Sequence, residues 1–233
     1  MKLNKNQKMK QTILLFLAQA LCLSAFSQST FIVTSTGTNP EVDAAIEYAT
    51  DIWSLYLNSD VPIEINLSYA NYSDLGILGQ CLPNLRQNFP NAPIEDVWYL
   101  TSLANSIAGI DVAPDEVDMD LLINSDANYY FGLDGNTPSN QIDLVTLLLH
   151  EIGHGLGFIS LGDLADGIGS IGVVPSLPLL PPTSFGFPET FEEHPCTWDL
   201  FMVNGTDLLL ADAMNFENNS EELGNELVSE DLY

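Results

Sequence analysis

The hydrophobic positions change period along the chain, and each change predicts a different element. Residues 30–36 (TFIVTST) are rich in β-branched side chains and predict a strand. Thr38-Asn39-Pro40 then opens a helix, with Pro40 in its first turn and Glu41 and Asp43 at its positive end. Val42, Ala45, Ile46, Ala49, Ile52, Trp53 and Tyr56 recur at spacings of three and four, which predicts one buried face. Residues 61–69 (VPIEINLSY) alternate and predict a second strand, and 117–124 (VDMDLLIN) a third. Between them, 70–96 carries Gly76, Gly79, Pro83, Pro90 and Pro93 and reads as loop. Helical periodicity returns over 95–110, with Val97, Trp98, Leu100, Leu103 and Ile107 on one side. Residues 125–140 are turn-rich around Asp134-Gly135. After 162, Pro175, Pro178, Pro181, Pro182 and Pro188 predict an extended, poorly regular lobe.

One segment carries chemistry as well as pattern. Residues 141–159 read QIDLVTLLLHEIGHGLGFI, with Ile142, Val145, Leu148, Leu149 and Ile152 as a buried stripe. The spacing predicts a helix over about 140–157, with Ser139 or Asn140 as its N-cap and Asp143 near its positive end. His150 and His154 are four apart and lie on one face about a turn apart, so both imidazoles can reach one tetrahedral zinc ion. Glu151 sits beside the ion without being required as a ligand, which suits a base that takes a proton from activated water. A bare H-E-x-x-H arises by chance in roughly one chain of this length in a hundred. Against that stand an amphipathic context and the use of two of the chain's three histidines. Gly153, Gly155 and Gly157 each cost a helix interior about 1 kcal/mol and therefore need a reason.

Composition adds a strong bias. The 233 residues are 46% apolar and 16% charged, enough apolar content for one core and a prior of one domain. Thirty-two acids stand against five bases, a formal net charge of −27. Four of those bases are Lys2, Lys5, Lys8 and Lys10, so residues 28–233 carry all 32 acids against Arg86 alone. Such a surface excludes nucleic acid as a partner and argues against an anionic membrane. The lysines precede an apolar run from Ile13 to Phe26, and Ala25 and Ser27 offer small residues for cleavage before Gln28. That layout predicts a secretory signal peptide over 1–27 and a secreted, extracellular product that leaves the membrane once the signal is removed. Cys81 and Cys196 remain, as one disulfide or as two buried thiols. Asp111, Asp115, Asp118, Asp120, Asp126 and Asp134 offer a calcium (Ca2+) site as an alternative, but their spacing fits no calcium loop and solvated acids are expected.

HEIGHGLGF resembles the active-site helix of zincin metallopeptidases, in the H-E-x-x-H-x-x-G-F form of leishmanolysin-like and other metzincin-like enzymes. A softer similarity to secreted bacterial zinc peptidases runs from VWYLTSLANSIAGID through YYFGLDG to TWDLF, covering roughly residues 40–210. The resemblance implies an α+β, zincin-like (metzincin-like) upper lobe, with a mixed twisted sheet and the active-site helix, over 28–162. An irregular or incomplete C-terminal lobe would follow over 163–233. It also implies Zn2+ (zinc) on His150 and His154, with Glu151 as general acid and base. Metzincins place a third histidine six residues after the second; here Ser160 stands there, a poor ligand.

The expected function is that of a secreted zinc-dependent endopeptidase acting on protein or peptide substrate. The strand at 117–124 would form the upper cleft edge and take substrate by strand addition. The alternative is a non-catalytic secreted binding or adhesion module. A catalytic zinc needs a third protein ligand. It is expected beyond Tyr233, at His194, the other histidine of the chain, or at Asp199 in TWDLF. Met202 or Met214 would supply a methionine floor under the metal.

Overall fold

The structure is a computed structural model that describes residues 28–173 and 190–232. The predicted signal peptide and the prolines from Pro175 to Pro188 lie outside the described residues. Among the described residues the fold is mixed α+β, built from small sheets and four α-helices.

Strand β1 (Phe31–Thr36) leads into helix α1 (Pro40–Ser54), which returns to strand β2 (Ile63–Ala70). Asn39 caps α1 by accepting from the backbone N–H groups of Glu41 and Val42, both at 3.0 Å. A side-chain cap of this kind is worth about 1 kcal/mol, and Pro40 follows it where a missing N–H costs nothing. Strand β3 (Gly79–Pro83) comes out of the stretch read as loop. Gly79 and Pro83 hid a strand, and Pro83 is tolerated because it stands at the last position of an edge strand, where no ladder hydrogen is needed. Strands β4 (Leu85–Arg86) and β5 (Tyr99–Leu100) pair with each other. Helix α2 (Thr101–Ala108) is shorter than the predicted 95–110, since 95–100 is taken by the approach to β5.

Strand β6 (Met119–Asn124) completes the main sheet, whose order is β1-β2-β6-β3. The first three strands are parallel and β3 runs antiparallel to β6, with Cys81 opposite Leu121. The edges of this sheet are β1 and β3, and the 117–124 strand expected at an edge is internal. Short β7 (Tyr129–Tyr130) and β8 (Ile142–Asp143) pair in parallel just before helix α3 (Leu144–Leu156). Asp143, and not Ser139 or Asn140, caps α3 by accepting from the Thr146 N–H at 2.7 Å.

Helices α1 and α3 cover one face of the sheet. Val42, Ala45, Ile46 and Ala49 meet Ile63, Ile65, Leu67, Met119, Leu121 and Ile123 from the strands and Leu148 and Ile152 from α3. The alternating burial of β2 reflects this one-sided packing. Trp53 packs against this core, but Tyr56, expected on the same face, is 78% exposed because α1 ends at Ser54.

The C-terminal part holds a hairpin of β9 (Gly162–Ala165) and β10 (Ile168–Ile171), a 3-10 turn at Asp199–Phe201 and helix α4 (Glu221–Leu227). A separate apolar cluster of Ile171, Met202, Leu210, Phe216 and Leu223 holds it together. A further cluster joins it to the main lobe through Leu85, Leu100, Leu161, Phe191 and Cys196.

Candidate functional site

Helix α3 presents its chemistry at the end of a buried stripe. His150 is exposed, His154 half-buried and Glu151 buried, because each successive residue turns ~100° around the helix axis. The Nε2 atoms of His150 and His154 are 3.0 Å apart. Two nitrogen ligands of one tetrahedral zinc, each bonded at ~2.0–2.1 Å, stand about 3.3 Å apart, so the pair needs to open only slightly. His154 Nδ1 lies 2.7 Å from the Phe158 carbonyl oxygen. A carbonyl only accepts, so Nδ1 carries the hydrogen and Nε2 keeps its lone pair toward His150.

The helix leaves the site by a turn at Gly157, whose φ of 136° is closed to side-chain-bearing residues. The Phe158 N–H reaches back to the Gly153 carbonyl at 3.1 Å, which sets the Phe158 carbonyl under His154. Gly155 is required by close approach: a Cβ there would run into the Met119 thioether and lie 3.2 Å from Cys81 Sγ. Gly153 has no such reason, since an added Cβ would meet Trp53 and Phe158 only at 3.6 and 3.8 Å.

Glu151 turns toward the edge strand. A Cβ on Gly79 would stand 3.1 Å from the Glu151 side chain. Burial raises the Glu151 carboxyl above the usual carboxylate range, opposed by the two histidines and by a hydrogen bond from the Cys81 backbone N–H. The edge strand thus holds the glutamate and passes next to it.

His194 and Asp199 are not brought to the histidine pair. His194 Nδ1 pairs with Gln87 Nε2 at 3.1 Å in the C-terminal part. Asp199 is fully buried and accepts from Ser160 Oγ at 2.7 Å, from the Leu161 N–H at 3.2 and 3.3 Å, and from the Cys196 N–H at 2.8 Å. With its lone pairs engaged, it has none to offer an ion. Among the described residues, no group of three or more His, Cys, Asp or Glu side chains is arranged to hold a metal. Met202 is buried in the C-terminal cluster and Met214 is 94% exposed, so neither is fixed beneath the pair by the packing.

Cys81 and Cys196 are both free thiols, in different apolar clusters. Cys196 Sγ–H donates to the Ile159 carbonyl at 2.9 Å. Of the six aspartates read as solvated, Asp118 is buried: it accepts from the Glu64 N–H at 2.8 Å and from Asn105 Nδ2 at 3.0 Å. The one ion pair among the described residues is Arg86–Glu116 at 2.7 Å, on the surface.

Sequence reasoning missed the Ser160–Asp199 link and the hold of β3 on Glu151. A signal for the first existed: Ser160 sits between Ile159 and Leu161, and Asp199 between Trp198 and Leu200. A polar residue inside an apolar run is buried with a partner or faces solvent, and the pattern could not say which. The second carries no side-chain signal, because the contact is made by a backbone N–H.

The site defines an α+β protein with an H-E-x-x-H helix laid against a mixed sheet whose antiparallel edge touches the glutamate. The chain belongs to the SPBPB7E8-like family, whose family model matches residues 5–165 and so takes in the whole main sheet and α3. It is 35% identical over 80 residues to the uncharacterized protein PB7E8.01 of Schizosaccharomyces pombe. That stretch is 34% of this chain and spans only 12% of the length of the yeast protein. No solved structure matches.

This family membership overturns the zincin or metzincin assignment suggested by HEIGHGLGF. The absence of a three-ligand metal group among the described residues agrees with that correction. The physical reason is that a nine-residue motif at the end of one helix dictates only which side chains share its face. It does not dictate what the rest of the chain brings to that face.

Proposed function

We propose that the protein is a secreted, zinc-dependent hydrolase of peptide bonds, with His150 and His154 as zinc ligands and Glu151 as general base. The observation that carries this reading is the 3.0 Å convergence of the two Nε2 atoms beside a buried carboxylate. The donor chemistry fits zinc: two imidazoles, one of them with Nδ1 held by the Phe158 carbonyl. A third donor is not among the described residues gathered at the pair. Zinc, when bound, supplies Lewis acidity and brings water within reach of deprotonation near neutral pH.

The protein's own part follows from the residues. Glu151, held by the Cys81 N–H and raised by burial, takes a proton from water and returns it to the leaving amine. Strand β3, at the sheet edge beside Glu151, takes an extended peptide by strand addition. The expected substrate is therefore an unfolded or extended polypeptide segment. The lysine-rich, apolar N-terminus supports export.

The test is zinc content and cleavage of denatured casein by the purified protein and by the His150→Ala/His154→Ala double variant. One zinc per chain that is lost in the double variant, with chelator-sensitive cleavage, supports the reading. No zinc at micromolar metal sinks it.

A second reading is a non-catalytic secreted binding module, since among the described residues no third donor meets the histidine pair. Stoichiometric zinc without casein cleavage would select it.

A further inference from the structure

We infer that Asp199 is a positioning residue for His154, acting through the loop that leaves α3. Its consequence for zinc rests on the proposed function, but its action on the imidazole does not.

Asp199 is 0% exposed, and the one base of residues 28–233, Arg86, is engaged with Glu116. A carboxylate buried without a cation is costly unless its lone pairs are filled. Here one oxygen accepts from Ser160 Oγ and the Leu161 N–H, and the other from the Cys196 N–H and again from Leu161. The Cys196 thiol closes the same junction by donating to the Ile159 carbonyl. Residues 159–161 are thereby clamped to 196–199 through the Ser160 hydroxyl, the Leu161 N–H and the Ile159 carbonyl.

The clamp begins one residue after the carbonyl that orients the imidazole. Phe158 O accepts from His154 Nδ1 at 2.7 Å, Ile159 follows, and Ser160 is tied to Asp199. Trp198, the neighbour of Asp199, adds a second restraint. Its ring packs on Phe158 at 5.3 Å between centroids, and Phe158 packs in turn on Trp53 at 6.2 Å. The Phe158 backbone is therefore fixed through Ser160 and its ring through Trp198, from one anchoring carboxylate. An apolar residue at 199 would fill the volume but leave three donors unmet and the loop free to shift. A shift of that loop breaks the His154–Phe158 bond and frees the ring to change tautomer or rotate.

The test reads the histidines directly. The chain has three, so long-range nitrogen–proton correlation NMR of the metal-free protein resolves each imidazole. His154 is expected as the Nδ1–H tautomer in the wild type. Asp199→Asn, which turns one acceptor into a donor facing the Cys196 N–H, and Ser160→Ala should both lower that Nδ1–H fraction. Ser160→Thr, which keeps the hydroxyl, should restore it, and His194 should not change in any variant. Zinc affinity should fall about 10- to 100-fold in the first two variants. An unchanged His154 tautomer and unchanged zinc affinity in folded Asp199→Asn overturns the inference. If that variant does not fold, the same result in Ser160→Ala does so. A wild type that binds no zinc sinks the proposed function while leaving the tautomer result to decide this one.

Discussion

Ser160 donates its hydroxyl hydrogen to Asp199 across 2.7 Å, and Ser160 is the residue six positions after His154. At the position where the metzincin pattern has a third histidine, this chain carries a tether. The link joins the loop after α3 to the C-terminal part through a contact 39 residues apart in sequence.

The role assigned to Glu151 predicts a separation of binding from turnover. Glu151→Gln keeps the shape of the side chain and removes its basicity. Zinc content and the circular dichroism spectrum should be unchanged, while casein cleavage falls by several orders of magnitude. Activity in a zinc-replete Glu151→Gln protein would remove the glutamate from the mechanism.

His194 stands apart from the histidine pair, bonded to Gln87. His194→Ala should leave zinc affinity within about twofold of wild type, whereas His150→Ala and His154→Ala should each abolish tight binding. Isothermal titration with zinc checks this, and a large loss in His194→Ala would restore it as the third ligand.

The glycines of α3 should separate cleanly. Gly155→Ala drives a methyl group into Met119 and should cost about 1–3 kcal/mol, the range for overpacking a filled core. Gly153→Ala meets only ordinary contacts and should be neutral or stabilising by up to about 1 kcal/mol through helix propensity. Urea midpoints of the two variants decide it, and equal losses would contradict the packing at Gly155.

Burial pushes the Asp118 carboxyl up to about 6, helped by Asp111 and opposed by the Glu64 N–H. An unfolded aspartate titrates near 4, so between the two values the folded chain holds a proton that the unfolded chain releases. This contribution is fully present below pH ~4 and is lost as pH rises through 6. Stability should therefore rise on acidification from pH 7.5 to 5. Asp118→Asn should flatten that part of the profile, measured by urea unfolding at each pH. An identical pH profile in the variant would contradict it.

Burial also raises both thiols, Cys196 to about 12 and Cys81 well above its usual range. In native protein an aromatic disulfide reagent should label neither Cys81 nor Cys196 within minutes at pH 8, and in denaturant it should label both. A native mass two hydrogens short would instead reveal a disulfide.

Local spacing along the chain was enough to place most elements and the chemistry of one helix face. β1, α1, β2 and β6 fall within a few residues of where periodicity puts them, because apolar spacing is a property of neighbouring residues. The same holds for His150, Glu151 and His154, whose shared geometry follows from the helix repeat alone. What depends on residues far apart came only from their packing together. Strand β3 exists because β6 offers a ladder to a segment with weak strand propensity, and that placement turned the expected edge strand into an inner one. Asp143 outcompeted Ser139 and Asn140 as the cap because β8 pairs with β7 up to that residue. Asp118 and Asp199 became buried hubs, which no composition reveals, since the donors that satisfy them come from Glu64, Asn105, Ser160, Leu161 and Cys196. A polar residue can be read from the sequence, but whether its partner is water or the protein is settled only when distant segments meet.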